Sequence, residues 1–270
     1  SHIRVGTFQV FAARQQIDEL QELCDYTLAR HYPHANGPEG LLQAAMDAQA
    51  KLIPAWMGVG FIHGVMNTDN CQIAGETIDY GPCAFMDAFA SDRVFSSIDR
   101  MGRYSYANQP DIAIWNMAQL ATSLVPLMPD AESAVERFTT MLHEMKDHLR
   151  VEWLAVFAEK LGISQPDIED GTLIADLLDL METGGSDFTN TFGRVSDNRP
   201  LDTYPHILSL IRATLPSYDE KKHVLSDWHP ETLFTHICTE ARGAKFALRG
   251  DIKRIFLWIH DKMNGSSDDN

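Results

Sequence analysis

Apolar positions recur every three to four residues along most of this chain, and that spacing predicts a mainly helical protein. Over 14–31, Ile17, Leu20, Cys24 and Leu28 fall on one stripe, and Pro33 stops the helix. Over 38–57, Leu41, Leu42, Ala45, Met46, Leu52, Ile53 and Trp56 predict a second helix. Pro54 lies inside it, lacks an N–H and crowds the preceding turn, so it is expected to kink or divide the helix. A third helix over 111–125 follows Pro110. A long one runs from Asp130, as N-cap, to about Gly162 on a stripe of Val135, Phe138, Leu142, Met145 and Leu149. The next, over 167–182, carries Leu173, Ile174, Leu177, Leu178 and Met181 and ends at Gly184-Gly185. Residues 205–215 and 231–262 also read as helical, and the polar end from Gly265 to Asn270 is expected to fray.

The stretch 58–90 breaks this rhythm. It has no long helical period, only short β-like runs over 59–62, 72–74 and 77–79, with Gly64, Gly75 and Gly81 as tight turns. An irregular insert of that length in a helical scaffold is where function concentrates.

Composition narrows the function classes. Across 270 residues, 22 Lys and Arg stand against 38 Asp and Glu, a formal charge of −16. With a pI near 5.0, the chain lacks the basic footprint of a nucleic-acid or anionic-membrane binder. Its apolar runs are too short and interrupted to span a bilayer. It opens on Ser1-His2-Ile3-Arg4, with neither a Met nor a signal pattern, which reads as a cut end. Cys24, Cys71, Cys83 and Cys238 are far apart with no C-x-x-C, the pattern of reduced thiols in a reducing compartment and hence of a cytoplasmic protein.

Within the insert, two phrases carry candidate chemistry. One is His63-Gly64-Val65-Met66-Asn67-Thr68-Asp69-Asn70, and the other is Thr77-Ile78-Asp79-Tyr80-Gly81-Pro82. A loop, hairpin and loop could bring Asp69, Asn70 and Asp79 to one point. A carboxylate and an amide oxygen form the hard-oxygen set that Mg²⁺ accepts together with phosphates and water. A second carboxylate, free of the metal, can take a proton from a nucleophile. Protein kinases use the same order of parts, an Asp and Asn in a catalytic loop and then a metal-binding Asp before a glycine. Asp and Asn are also common in plain turns, where they bond the local backbone, and spacing alone leaves both readings open.

The run from Val59 to Asp87 closely resembles the selenoprotein O (SelO) family. So do Ser1-His2-Ile3-Arg4-Val5-Gly6-Thr7-Phe8, the phrase from Gly102 to Pro110, and Asp187-Phe188-Thr189, so that the resemblance spans about residues 1–195. It implies a protein-kinase-like fold of which this chain holds only the C-terminal, helical lobe, as a single domain over 1–265 followed by a polar tail at 266–270. It further implies a transferase that binds ATP in a flipped pose and moves AMP to Ser, Thr or Tyr hydroxyls of proteins, with UMP transfer in some relatives. By the same resemblance Asp69 accepts the proton, while Asn70 and Asp79 hold Mg²⁺ (or Mn²⁺) and Asp79 also meets the nucleotide. Family members are cytoplasmic in bacteria and mitochondrial in eukaryotes.

Some of the family pattern is missing from the sequence. The Gly-rich loop, the Lys–Glu pair and the phosphate-holding arginines precede the Ser-His-Ile-Arg phrase in the family, and nothing stands there in this chain. The closing Asn-Pro-x-x-x-x-Arg-Asn phrase and the C-terminal redox Cys are also absent, and residues 196–270 match nothing recognisable. The alternative is therefore an inactive fragment or a partner-binding lobe.

Other constellations read as structural. In His143-Glu144-Met145-Lys146-Asp147-His148 the histidines are five apart, about 500° around a helix, and do not share the face a zinc site needs. His31 and His34 flank a helix exit at Pro33, and Gly184-Gly185-Ser186 reads as a helix stop. Arg103, Tyr104 and Tyr106 could touch a substrate or brace the adjoining helix.

Overall fold

The computed structural model describes residues 2–161, 163 and 165–196. The helices read over 205–215 and 231–262, and the polar tail at 266–270, lie outside these residues. The described part is mainly helical. Its elements are α1 (Val5–Ala13), α2 (Ile17–His31), α3 (Gly37–Gly58), β1 (Phe61–Ile62), β2 (Ala84–Phe85), α4 (Gln109–Leu124), α5 (Ala131–Lys160), α6 (Ile168–Gly184) and α7 (Phe188–Ser196).

The chain divides into two compact units. Among the described residues, one takes 2–85 and 91–156, and the other takes 86–90 and those from 157 to 196. In the first, α4 packs on both α1 and α3, and α2 packs on the same pair. Phe8, Leu20, Leu41, Leu42, Met46, Ile53, Met117 and Leu120 are among the buried side chains of this core. Burying each such side chain stabilises the fold by about 1.5–3 kcal/mol before entropy is counted. In the second unit Phe89, Phe157, Phe188 and Phe192 form an aromatic cluster. The backbone of 86–90 joins it through Phe188 N–H to Asp87 C=O at 2.7 Å and Phe89 N–H to Ser186 C=O at 2.9 Å. Burial pushes the Lys160 ammonium pKa down, where its Nζ lies 5.2 Å from the Phe192 ring centre.

Several sequence expectations change here. The helix expected from residue 14 starts at Ile17, and a separate α1 precedes it across a turn in which Gln15 has φ 56°. Val5, Gly6, Thr7 and Val10 are poor helix formers, so local propensity hides α1. What holds it is burial of Val5 and Phe8 against the core. Ile17, at the very start of α2, is 39% exposed rather than on the buried stripe of Leu20, Cys24 and Leu28.

Pro54 does not divide α3, which runs on to Gly58. One missing N–H so close to the helix end removes one bond from a ladder that is about to finish. In α5 Val135 faces solvent at 53% exposure, and the buried stripe is Ala134, Phe138, Met141, Met145 and Leu149. The period was right and its phase slightly rotated. Asp130 does cap α5, accepting from the N–H groups of Glu132 and Ser133 and from the Ser133 hydroxyl.

The insert holds less strand than expected. Of the run 59–62 only Phe61–Ile62 pairs, antiparallel with Ala84–Phe85, which the sequence had not marked. Residues 72–74 contribute a lone bridge, Gln72 to Arg4, and 77–79 form no strand. Two of the three turn glycines do adopt positive φ, Gly64 at 82° and Gly75 at 68°; at the third turn the left-handed residue is Asp79 instead of Gly81.

Candidate functional site

The turn that carries Asp69 and Asn70 is seated from two sides. Below it lies the start of α1, whose first N–H groups have no partner within the helix. Val5 N–H donates to Cys71 C=O at 3.0 Å and Gly6 N–H to Thr68 C=O at 2.9 Å, while Ile73 N–H donates back to Ile3 C=O at 3.0 Å. From the other side come two amides of α4, seven residues and so two helical turns apart. Gln109 accepts from His63 N–H at 3.1 Å and donates to Phe61 C=O at 3.0 Å. Asn116 donates to Met66 C=O at 2.9 Å and to its own helix at Ile112. Both amides are fully buried.

Within the turn, Asn70 donates its backbone N–H to Asn67 and its side-chain Nδ2 to Val65 C=O at 3.0 Å. That bond fixes the amide plane. Asp69 is exposed, and its carboxylate lies directly against Gly6 of α1.

The Asp79 segment is held differently, by side chains reaching from the insert and from α3. His63, fully buried, bonds Ile78 C=O through Nε2 at 2.8 Å. A carbonyl only accepts, so Nε2 carries the hydrogen, and Nδ1 accepts from Val65 N–H at 3.4 Å. Trp56 donates Nε1–H to the Thr77 hydroxyl at 2.8 Å. The Trp56 and Phe61 rings box the imidazole, with centroids 5.4 and 6.4 Å away. Burial pushes the His63 pKa below the ordinary histidine value, against the opposing pull of the Ile78 carbonyl and the Asp79 charge. Asp79 itself sits at φ 58° with its C=O accepting from Gly81 N–H at 2.8 Å. A non-glycine residue in the left-handed region stores strain that the surroundings must hold, a common feature of functional loops. The two loops also meet at Gly64, where a side chain would press on Pro82 at about 3.1 Å.

The structure thus ties the Asp69–Asn70 loop to the Asp79 loop through His63, through β1 and β2, and through the Gly64–Pro82 approach. The donor chemistry fits a hard divalent cation: an amide oxygen oriented by its own N–H₂ bond and an exposed carboxylate. Among the described residues no three His, Cys, Asp or Glu side chains gather as a metal cluster. Such an ion would therefore complete its shell with substrate oxygens and water.

Sequence reasoning gave no roles to Gly6, Trp56, Gln109 and Asn116, and quoted His63 only as part of a phrase. Glycine and buried amides act through what they touch, and no spacing rule marks a contact 46 to 63 residues away. Of the residues weighed as structural, His148 meets Asp47 at 3.4 Å and Glu152 at 3.3 Å. Tyr106 is buried, with its hydroxyl on Met57 C=O at 2.7 Å, so it braces α3. Arg103 stacks 4.6 Å from the Trp115 ring. Cys24, Cys71 and Cys83 are free thiols, and burial pushes the Cys24 and Cys71 thiols up to about 11 and about 12. Neither of those two is a ready nucleophile at neutral pH. No described helix is long and apolar enough to cross a membrane.

Comparison with known proteins places the chain among named relatives. The chain is 59% identical over 204 residues to a protein nucleotidyltransferase YdiU of Ruegeria pomeroyi, covering 76% of this chain and 43% of that protein. It is 58% identical over 200 residues to the protein of that name from a Jannaschia species (74% and 42%). With the one from Rhodopseudomonas palustris it shares 48% over 235 residues (85% and 46%). The chain thus spans less than half the length of these relatives. The profile of the family described as protein adenylyltransferase SelO matches residues 1–249. A match over that much of the chain makes this chain a member of the SelO family.

Proposed function

We propose that this chain carries the proton-accepting and metal-holding half of a protein nucleotidylyltransferase, on a helical lobe of protein-kinase type. The observation that carries this reading is the coupling of two loops by one buried histidine, with Asp69 and Asn70 on one and Asp79 on the other. The order of parts along the chain, an Asp-Asn turn and then an Asp before a glycine turn, is also that of the kinase catalytic and metal-binding loops. The relatives bear transferase names and lend no support to an inactive lobe.

In the proposed reaction the oxygen of a protein Ser, Thr or Tyr hydroxyl attacks the α-phosphorus of ATP. A new P–O bond forms, the bond to the bridging oxygen of the β-phosphate breaks, and pyrophosphate leaves. Asp69 orients the hydroxyl and takes its proton. Asn70 and Asp79 would hold a divalent cation, Mg²⁺ by donor type, which supplies charge neutralisation at the phosphates. The Val65 bond fixes the Asn70 amide, and His63 anchors the residue before Asp79 through Ile78.

The test uses the full gene product with α-labelled ATP, Mg²⁺ and a protein acceptor, together with calorimetric titration of Mg²⁺–ATP. Asp79→Ala should abolish both binding and transfer. Asp69→Asn should keep binding and lose about 10²–10⁴ in rate. An Asp79→Ala protein that binds and transfers normally would sink the assignment.

A further inference from the structure

We propose that Gly6, in the first turn of α1, is a positioning residue for Asp69: its missing side chain is the space in which the proton-accepting carboxylate sits. The inference rests on the reading of Asp69 as proton acceptor. A Cβ built on Gly6 would overlap Asp69 Oδ1 outright and approach its Cγ to 3.3 Å, while the nearest backbone atom, Thr68 O, stays at 3.4 Å. The last distance is near ordinary contact. A methyl group here therefore collides with the carboxylate and leaves the backbone in place.

The surrounding bonds explain why the carboxylate has no easy retreat that preserves its function. Gly6 N–H holds Thr68 C=O, and Val5 N–H holds Cys71 C=O, so the backbone on either side of Asp69 is pinned to the helix start. The Asn70 side chain is pinned to Val65. Only the Asp69 side-chain torsions remain to relieve the clash, and turning them moves the carboxylate off the position the turn gives it. A shift of about 1 Å in a reacting group is enough to cost on the order of 10²-fold in rate. φ plays no part in the argument, because Gly6 has ordinary helical backbone and is absent from the positive-φ glycines. Alanine outranks glycine as a helix former, so a purely structural account expects Gly6→Ala to be neutral or stabilising.

The test compares wild type, Gly6→Ala, Asp69→Asn and the double variant in the full gene product, by steady-state nucleotidyl transfer and thermal unfolding. Gly6→Ala should lower kcat at least tenfold with KM for Mg²⁺–ATP within twofold and Tm unchanged or raised. In the Asp69→Asn background the same substitution should change kcat less than twofold, since the carboxylate it displaces is gone. A Gly6→Ala protein with wild-type kcat would overturn the proposal. So would an equal loss in both backgrounds, or a fall in Tm of more than about 5 °C, which would assign the glycine to packing of the helix. If Asp69→Asn transfers at the wild-type rate, the reading of Asp69 falls. If Asp69→Asn is inactive beside a fully active Gly6→Ala, only the role of Gly6 falls.

Discussion

The loop of Asp69 and Asn70 and the loop of Asp79 are neighbours built on opposite principles. The first is mounted on scaffold. Its backbone is bonded to the start of α1 at Val5 and Gly6 and to two buried amides of α4. The second is suspended. Its side-chain tethers are His63 to Ile78 and Trp56 to Thr77, and it carries a strained Asp79 at φ 58°. In the role proposed for Asp69, a proton acceptor must be held close to its target, which favours a rigid mount. In the role proposed for Asp79, a ligand of both cation and nucleotide must accommodate their arrival and release, which a side-chain tether permits. The contrast predicts that the two loops fail in different ways.

The largest effect is expected where the mount is cut. Gln109→Leu leaves the His63 N–H and the Phe61 C=O buried without partners, at about 1–3 kcal/mol each. Urea unfolding should therefore show a loss of about 2–4 kcal/mol. A loss below about 0.5 kcal/mol would mean that the β1 backbone relaxes to water and that α4 is no mount at all.

A smaller and more local effect is expected from the tether. His63→Leu removes the donor to Ile78 C=O while leaving every bond from α1 to residues 68 and 71 in place. Stability should fall by about 1–2 kcal/mol. Affinity for Mn²⁺–ATP, read by titration or electron paramagnetic resonance, should fall about tenfold, the equivalent of 1.4 kcal/mol. Amide exchange at residues 77–81 should speed up while that at 68–71 does not. Equal acceleration in both loops would erase the distinction between them.

The smallest effect is a pH dependence. Burial lowers the His63 pKa in the folded state, because a buried ring loses the solvation that its charged form needs. Below the ordinary histidine pKa of about 6.5 the unfolded chain takes up a proton that the folded chain resists. Stability is then complete above about pH 6.5 and is lost as pH falls toward the lowered folded value. The slope from this one group cannot exceed about 1.4 kcal/mol per pH unit. His31, also lowered mainly by burial, adds a slope of the same sign. The check is therefore the difference between wild type and His63→Leu in urea midpoints from pH 7.5 to 5.5. Identical slopes in the two proteins would show that His63 is not held neutral.

Much of this protein was legible in its sequence, and what was legible shares a cause. Helix periods over α2 to α6, the cap at Asp130 and the stop at Gly184-Gly185 are written within a few residues of where they act. The phrases containing Asp69, Asn70 and Asp79 were marked because short runs of acids, amides and glycines are themselves local chemistry. Tertiary structure alone decided the rest. α1 exists because Val5 and Phe8 find a core, in spite of a poor helical sequence. Asp79, and not Gly81, takes the left-handed turn because the chain before it is fastened to His63 and Trp56. Gly6, Gln109 and Asn116 reach the site through atoms 40 or more residues away. Periodicity and capping report interactions between neighbours in sequence. Which distant carbonyl a buried amide satisfies, or which carboxylate fills the space over a glycine, is fixed only when packing brings the two together.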